Sequence, residues 1–398
     1  MTTFGSVPQA PADAIFGVKT KFDACPLTKK YLLSVGVYRS EEGKPYVFPC
    51  VQKAEEKILH KFCKDYLPMN GDATFVEAAR ELLWADVLPD IGARTASIQS
   101  CAGTGALFLT AFFAKEFLNC PKVLISNPNW PNHRAIFGKA GHEIDLYPWA
   151  KDCRFDLEGC LEKLKSEPEG CLVILQACAH NPTGIDPTPE QWKEILKAID
   201  EKKHIVVFDF AYMGYASGDM DVDAAVVRDY ARTGHKFFCS FSFSKCMGLY
   251  GERIGCLHAV CDTPDEATKV RSQLAVIARR TYSVPPQNGS YIAAAVLNDP
   301  ELKAQWKEEL KAVTKRIIDI REKFVSLLEQ KSGKDFDFIR KQKGMFALTG
   351  LSPEEVEALG NEEGVFIPSN GRISIPALNN SNVDDIAQAV ANIVKKRK

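Results

Sequence analysis

The chain has 398 residues, 45% hydrophobic and 25% charged, with 50 Lys and Arg against 51 Asp and Glu for a formal net charge of −1. That length supports a large buried core and predicts one large domain with a smaller companion, while the charge balance excludes a global pull toward nucleic acid or acidic membranes. The 13 cysteines are odd in number, scattered, and form no Cys-x-x-Cys pair, so they read as reduced, mostly buried thiols rather than a disulfide scaffold.

In chain order, Met1 to Phe16 shows neither a basic start leading into an apolar core nor an Arg- and Ser-rich amphipathic pattern. A cytoplasmic address is therefore expected, and no apolar run approaches the roughly 20 residues of a membrane span. Next, Cys101-Ala102-Gly103-Thr104-Gly105-Ala106 opens a helix predicted over Leu107 to Phe117. Free N–H groups at a helix start bind anions, and small residues let a phosphate approach. The string also begins like a dinucleotide fingerprint, but Phe108 stands where a third Gly or Ala belongs and no strong strand leads into it.

Val123 to Ser126, Leu172 to Leu175 and Ile205 to Phe208 are short apolar runs that end in polar or Gly/Pro-rich residues, the pattern of parallel strands buried on both faces. Between the last two, Thr188 caps a helix with Pro189 at its first position that extends to Ile199. This is a βαβ unit, and ligand is expected beyond the carboxyl ends of its strands. Cys153, Cys160, Cys171 and Cys178 lack zinc-ligand spacing, so no metal site is expected. From about Lys311 the chain reads as helix, then as the short runs Phe346 to Leu348 and Arg372 to Ile375, then as an amphipathic helix from Asn382. Together these predict a separate α+β unit. The basic cluster Lys395 to Lys398 reads as a solvated end.

The segment Ser242-Phe243-Ser244-Lys245-Cys246-Met247-Gly248-Leu249-Tyr250-Gly251-Glu252-Arg253 carries the sharpest chemical signal. A lysine amine among serines, glycines and an arginine suits a phosphate-bearing aldehyde held as a Schiff base, which is pyridoxal phosphate; a solvated lysine in a polar loop is the plain alternative. Asp209 follows an apolar strand, where an unpaired carboxylate is costly, and the protonated ring nitrogen of that cofactor would serve as its cation. It can equally cap a loop. Tyr212 and Asn181 follow strands and can reach the cofactor's 3'-oxygen; a satisfied core tyrosine and a turn asparagine before Pro182 are the alternatives. Asn127-Pro128 and Asn181-Pro182 are bonds at which a cis form is possible.

Taken together, these segments resemble the aspartate aminotransferases, the alpha subgroup of class I pyridoxal-phosphate aminotransferases. The resemblance runs nearly end to end, through Val35-Gly36-Val37-Tyr38-Arg39, Asp65-Tyr66-Leu67-Pro68, Gly103-Thr104-Gly105, Ser126 to His133, Ala177 to Gly184, Asp209 to Tyr212, the Lys245 stretch, Tyr282 to Pro286, Gly344-Met345-Phe346 and Gly371-Arg372-Ile373. It implies an α/β fold, that of fold type I pyridoxal-phosphate transferases. A large domain (47–311) would hold a mostly parallel central sheet flanked by helices, and a smaller α+β domain would form from both chain ends (1–46 and 312–398).

It also implies roles. Lys245 would be the Schiff-base lysine and proton shuttle, Asp209 the partner of the ring nitrogen, Asn181 and Tyr212 the ligands of the 3'-oxygen, and Trp130 the stacking ring. Gly103, Thr104, Ser242 and Arg253 would bind phosphate, with Tyr66 from a second subunit. Arg372 would grip the substrate α-carboxylate beside the Gly36 backbone, and the neighbour's Arg279 the distal one, with Arg280 adjacent. A homodimer with shared sites follows.

The implied activity is reversible, ping-pong transfer of the amino group from L-aspartate to 2-oxoglutarate, giving oxaloacetate and L-glutamate. A broader aromatic and dicarboxylic specificity, or a non-catalytic homologue that only binds, are the other readings. Ala102, Met213, Gly251 and Val284 depart from the family pattern, and Ala102 removes one phosphate-binding hydroxyl.

Overall fold

The computed structural model describes residues 4–10, 17–62 and 64–397. Parts of the N-terminal stretch read above, Cys63 and the last residue of the basic cluster lie outside the described residues.

Seven strands form the central sheet: β1 (Thr95–Cys101), β2 (Val123–Asn127), β3 (Ile144–Pro148), β4 (Leu172–Gln176), β5 (Ile205–Phe210), β6 (Phe237–Ser242) and β7 (Ile254–Val260). Their order is β1-β7-β6-β5-β4-β2-β3. Strand β7 runs antiparallel to both neighbours and the other pairings are parallel. Side chains alternate between two cores as the period of two requires. Val173, Leu175, Val206 and Phe208 enter one cluster with Trp84 and Phe237. Leu172, Ile174 and Val207 enter the other with Ile98, Leu107 and Phe113. Helices cover both faces, which is why these strands read as continuous apolar runs.

The helix between β4 and β5 spans Pro189–Glu201, with Pro189 at its start and a reciprocal capping box between Thr188 and Gln191. The helix predicted from Leu107 begins earlier, at Ala102, and ends at Phe117, so Gly103 and Thr104 lie in its first turn. A strand does lead into it, against the sequence expectation: β1 runs to Cys101. Thr95, Ser97, Gln99 and Ser100 interrupt its apolar pattern, yet all are buried, so hydropathy alone could not find it.

At the carboxyl side of the chain one helix runs unbroken from Pro300 to Ser332, capped by Asp299 and ended by Gly333 at φ +70°. The sequence boundary at 311/312 therefore falls within a continuous helix. Phe346–Leu348 pairs antiparallel with Arg372–Ser374, and Tyr31–Leu32 pairs parallel with Val365–Phe366. Helix Val383–Lys395 buries Ile386, Val390 and Ile393. The two chain ends thus meet in one layer, which carries Ser34 to Val37 and Arg372 toward the carboxyl ends of the central strands.

Candidate active site

A cavity of about 300 Å³ opens at those carboxyl ends, lined by residues from the sheet loops and from the layer of chain ends. Asp209 lies within β5, one residue pair in from the strand end, in register with Gln176 and Ser240. It is 7% exposed and its hydrogen-bond partner is a residue that sequence reasoning assigned no role: His133 Nε2 lies 2.8 Å from Asp209 Oδ2. His133 belongs to helix Pro131–Lys139, which starts after Trp130, and the Trp130 and His133 rings meet edge to face at 5.3 Å. A histidine three residues after the tryptophan, hence on the same helix face, was the signal available. The other ring nitrogen, His133 Nδ1, has no described partner.

Lys245 follows β6 and enters the same cavity. Burial depresses its amine pKa; Asp209 opposes that shift and Arg253 adds to it. Its Nζ lies 5.1 Å from the centre of the Tyr212 ring. Around it, Ser240 Oγ donates to Gly103 O at 3.1 Å, Ser244 N donates to Ser242 Oγ at 3.3 Å, and Arg253 Nη1 donates to Tyr250 O at 3.0 Å. A side chain at Gly103 would begin 3.4 Å from Ser242 Cβ and 3.9 Å from Asp209 Oδ1, so glycine keeps this concavity open between helix start, Ser242 and Asp209.

On the opposite wall, Asn181 is fixed through its backbone. Its N–H donates to Gln176 Oε1 at 2.8 Å and its carbonyl accepts from Gln176 Nε2 at 2.9 Å. Both X-Pro bonds singled out in the sequence, Asn127-Pro128 and Asn181-Pro182, are cis. Asn181 Oδ1 accepts from Arg372 Nη1 at 3.0 Å, and the Asn181 side chain also hydrogen-bonds the Tyr212 phenol, whose pKa burial raises.

Arg372 is 3% exposed. Its Nη2 donates to Ser34 O, its Nε has no described partner, and burial lowers its pKa to about 10. Its guanidinium lies 4.0 Å over the Phe346 ring. That ring in turn forbids a side chain at Gly36, where a Cβ would stand 2.6 Å from Phe346 Cζ.

The cavity thus gathers Gly36, Gly103, Thr104, Trp130, Asn181, Asp209, Tyr212, Ser242, Lys245, Arg253 and Arg372. It does not gather the other two sequence candidates. Tyr66 is 86% exposed, and Arg279, near the end of helix Pro264–Thr281, turns its guanidinium to Ser283 Oγ. Arg280 instead pairs with Glu116 at 2.6 Å. Sequence reasoning also gave no role to Tyr250 or Phe346, whose side chains act on cavity segments distant in sequence, or to Gln176, which braces Asn181 five residues on. Among the described residues no group of three or more His, Cys, Asp and Glu is placed to hold a metal ion, and no helix is long and apolar enough to cross a membrane.

A half-buried amine that shares a cavity with a histidine-held carboxylate and a buried arginine with a spare donor, on a mostly parallel sheet, defines a group-transfer site for carboxylate-bearing substrates. The chain belongs to the family described as aminotransferase class I and II, whose sequence model matches residues 28–390. It is 43% identical to a cytoplasmic aspartate aminotransferase of Schizosaccharomyces pombe, over 99% of this chain and 98% of that protein. It is 41% identical to a mitochondrial aspartate aminotransferase of Dictyostelium discoideum, over 98% and 93%. Among solved structures, an aromatic-amino-acid aminotransferase from Burkholderia pseudomallei covalently bound to pyridoxal phosphate superposes with a TM-score of 0.96 at 39% identity, covering 99% of this chain and 100% of that one.

Proposed function

We propose that this chain is a pyridoxal-phosphate-dependent aspartate aminotransferase, which moves the amino group of L-aspartate to 2-oxoglutarate and works in both directions. The observation that carries the reading is the convergence of half-buried Lys245 with buried Asp209 and Arg372 in one cavity, because an amine, a carboxylate and a guanidinium largely held out of water need partners that a cofactor and a carboxylate substrate supply. The residues present fit the cofactor. Asp209 Oδ2 is held by His133 while Oδ1 faces the concavity at Gly103, and Ser242, Arg253 and the Gly103-Thr104 helix start offer phosphate donors.

When bound, pyridoxal phosphate supplies an aldehyde that carries the amino group and a protonated ring that draws electrons from the substrate Cα. The protein supplies the rest. Asp209 would hold the ring nitrogen in its protonated form, and Asn181 and Tyr212 would hold the 3'-oxygen. Trp130 would pack against the ring. Arg372 fixes the α-carboxylate by paired donors, with the Gly36 backbone alongside, and so sets the direction of the Cα–H bond. Lys245 Nζ, its pKa depressed by burial, would hold and move that proton within the cavity.

Tyr66 and Arg279 lie outside the cavity of their own chain, and in this reading each serves the cavity of a second copy, Tyr66 at the phosphate and Arg279 at the distal carboxylate. The functional unit is a homodimer. Residues 47–311 act as the large cofactor-binding domain, and 1–46 with 312–398 as the small domain, whose pairing of Tyr31–Leu32 with Val365–Phe366 ties the chain ends together. A cytoplasmic location follows the similarity to the cytoplasmic fission-yeast enzyme, and imaging of the tagged full chain tests it against the mitochondrial alternative.

A broader specificity is the second reading, favoured by the apolar walls Val35, Val37 and Phe346 and by the aromatic-amino-acid relative. The deciding experiment adds L-aspartate to the purified protein, follows the visible absorbance of the cofactor, then adds 2-oxoglutarate. Conversion and full return support the aspartate reading. Response to phenylalanine as strong as to aspartate favours the second, and no conversion with any donor leaves only a binding protein.

A further inference from the structure

We propose that Gln99 is a positioning residue that clamps the two loops by which one protomer reaches into the cavity of the other; the inference rests on the shared-site reading above. Gln99 lies on β1, fully buried. It does not line the cavity. Its main-chain N–H donates to Asn70 O at 2.9 Å, its side-chain Oε1 accepts from Asp72 N at 2.9 Å, and its Nε2 donates to Pro286 O at 2.7 Å. One amide therefore spans the loop that carries Tyr66 and the turn that follows Arg279.

The loop sits directly on this side chain. Gly71 has φ +88°, and a Cβ there would fall 2.2 Å from Gln99 Cβ, so neither a substitution at Gly71 nor a shift of the loop toward β1 is tolerated. The two segments also hold each other, since Gln287 Nε2 donates to Asp65 O. Arg279 is tied within the same turn through Ser283 Oγ. Tyr66 and Arg279 are the sequence candidates that stand outside their own cavity, and both ride on backbone that Gln99 fastens at Asp72 and Pro286.

A primary amide presents a donor and an acceptor on one planar group whatever the pH. Glu at this position would set an acceptor against the Pro286 carbonyl, and Leu would leave both backbone groups unpaired, so each substitution frees one or both loops. β1 also leads, two residues on, into Cys101 and the Gly103 helix start. A loss of Gln99 that acted by distorting β1 would therefore damage the cavity of its own chain. The clamp acts on the other chain.

Two hybrid dimers separate these effects, each with a single intact Lys245. In the first, a Gln99→Glu chain with Lys245 is paired with a Lys245→Ala chain, so the working cavity receives its loops from a chain with Gln99. In the second, Gln99→Glu and Lys245→Ala share one chain and the partner is wild type, so the working cavity receives unclamped loops. The first hybrid is expected to keep the kcat/KM of a parental hybrid for aspartate. The second is expected to lose roughly tenfold to a hundredfold, the effect of a misplacement on the order of 1 Å, and to release pyridoxal phosphate from the intact site more readily.

Amide hydrogen exchange at Val284 and Gln287, on either side of the Pro285-Pro286 pair, should rise in the Gln99→Glu chain of both hybrids, because Glu keeps the acceptor for Asp72 N–H and loses the donor to Pro286 O. Equal losses in the two hybrids, or a loss confined to the first, would overturn the clamp. Tyr66→Phe placed in the same two arrangements tests the shared site itself. If Tyr66→Phe acts only within its own chain, the shared-site reading fails; if it acts across chains while Gln99→Glu does not, the clamp alone fails.

Discussion

The floor and the rim of the cavity are built to different standards. On the floor, Asp209, Arg372 and Asn181 are each below 10% exposed and braced by His133, Ser34 and Gln176. On the rim, Tyr66 is 86% exposed and Arg279 bonds only its own turn. The difference teaches where chemistry and specificity reside. Groups that must hold charge out of water are fixed within one chain, where low dielectric strengthens their interactions. In the proposed reading, the groups that select among substrates or complete a phosphate shell are those left outside the cavity of their own chain.

The largest effect should come from the floor. Lys245→Ala removes the one lysine amine among the described residues lining the cavity and should lower kcat for the aspartate and 2-oxoglutarate reaction by roughly 10⁴-fold, with pyridoxal phosphate still bound through the remaining donors. Steady-state assay and cofactor absorbance measure both. Retention of a tenth of the activity would move the chemistry elsewhere and break the comparison at its base.

Arg372→Leu comes next. Losing two charge-assisted hydrogen bonds to a carboxylate should cost about 3–4 kcal/mol, roughly 10²- to 10³-fold in kcat/KM, and the loss should be alike for aspartate and phenylalanine because both carry an α-carboxylate. The same arginine sets an alkaline limit. Burial lowers its pKa to about 10, so the binding-competent charged form prevails below that value and is lost above it, and KM in the wild type should rise as pH passes through about 10.

Arg279→Leu, on the rim, should cost less and select more: roughly tenfold to a hundredfold in kcat/KM for aspartate and little for phenylalanine. Equal losses for the two donors would erase the distinction between floor and rim. Arg280→Leu, which breaks only the surface pair with Glu116, should change neither donor's kinetics.

Much of the floor was legible in the sequence, and the reasons are physical. β2, β4 and β5 are buried on both faces and so announce themselves as apolar runs ending where ligand binds. Thr188 and Pro189 marked their helix because capping is a local interaction. β1 was not legible, since Thr95, Ser97, Gln99 and Ser100 are buried polar residues that break its apolar pattern, two of them satisfied by partners far along the chain, His258 for Ser97 at 2.8 Å and Pro286 for Gln99. His133 was missed as the partner of Asp209 for the same reason: 76 residues separate them. The rim was legible only through the family resemblance, which assigned Tyr66 and Arg279 to a neighbouring chain. Their separation from the cavity is a property of the folded chain that no local pattern encodes.

The smallest effect expected concerns the sheet beneath the floor, and it should leave catalysis untouched. His258 on β7 is fully buried, shares one ring nitrogen with Ser97 Oγ, leaves the other without a described partner and packs edge to face on Trp84 at 5.6 Å. Burial, helped by Arg80, lowers its pKa from 6.5 to about 3. The folded state therefore holds the neutral ring, while an unfolded chain gains a proton below pH 6.5. The stability from keeping His258 neutral is fully present above pH 6.5 and is lost progressively as pH falls toward 3.

His258→Leu removes that dependence. It also leaves Ser97 Oγ without its partner and should lower the urea midpoint at pH 7.5. As pH falls the wild type alone loses this contribution, so the gap between the two midpoints should narrow by pH 4.5. A gap of constant width would mean that water or structural relaxation lets the folded protein protonate His258 freely. The residue stands four positions along β7 from Ile254, which pairs with Cys101 beside the cavity, roughly 13 Å at the usual strand rise. kcat and KM should accordingly stay at wild-type values wherever both proteins are folded, so that the sheet stabilises the floor without tuning its chemistry.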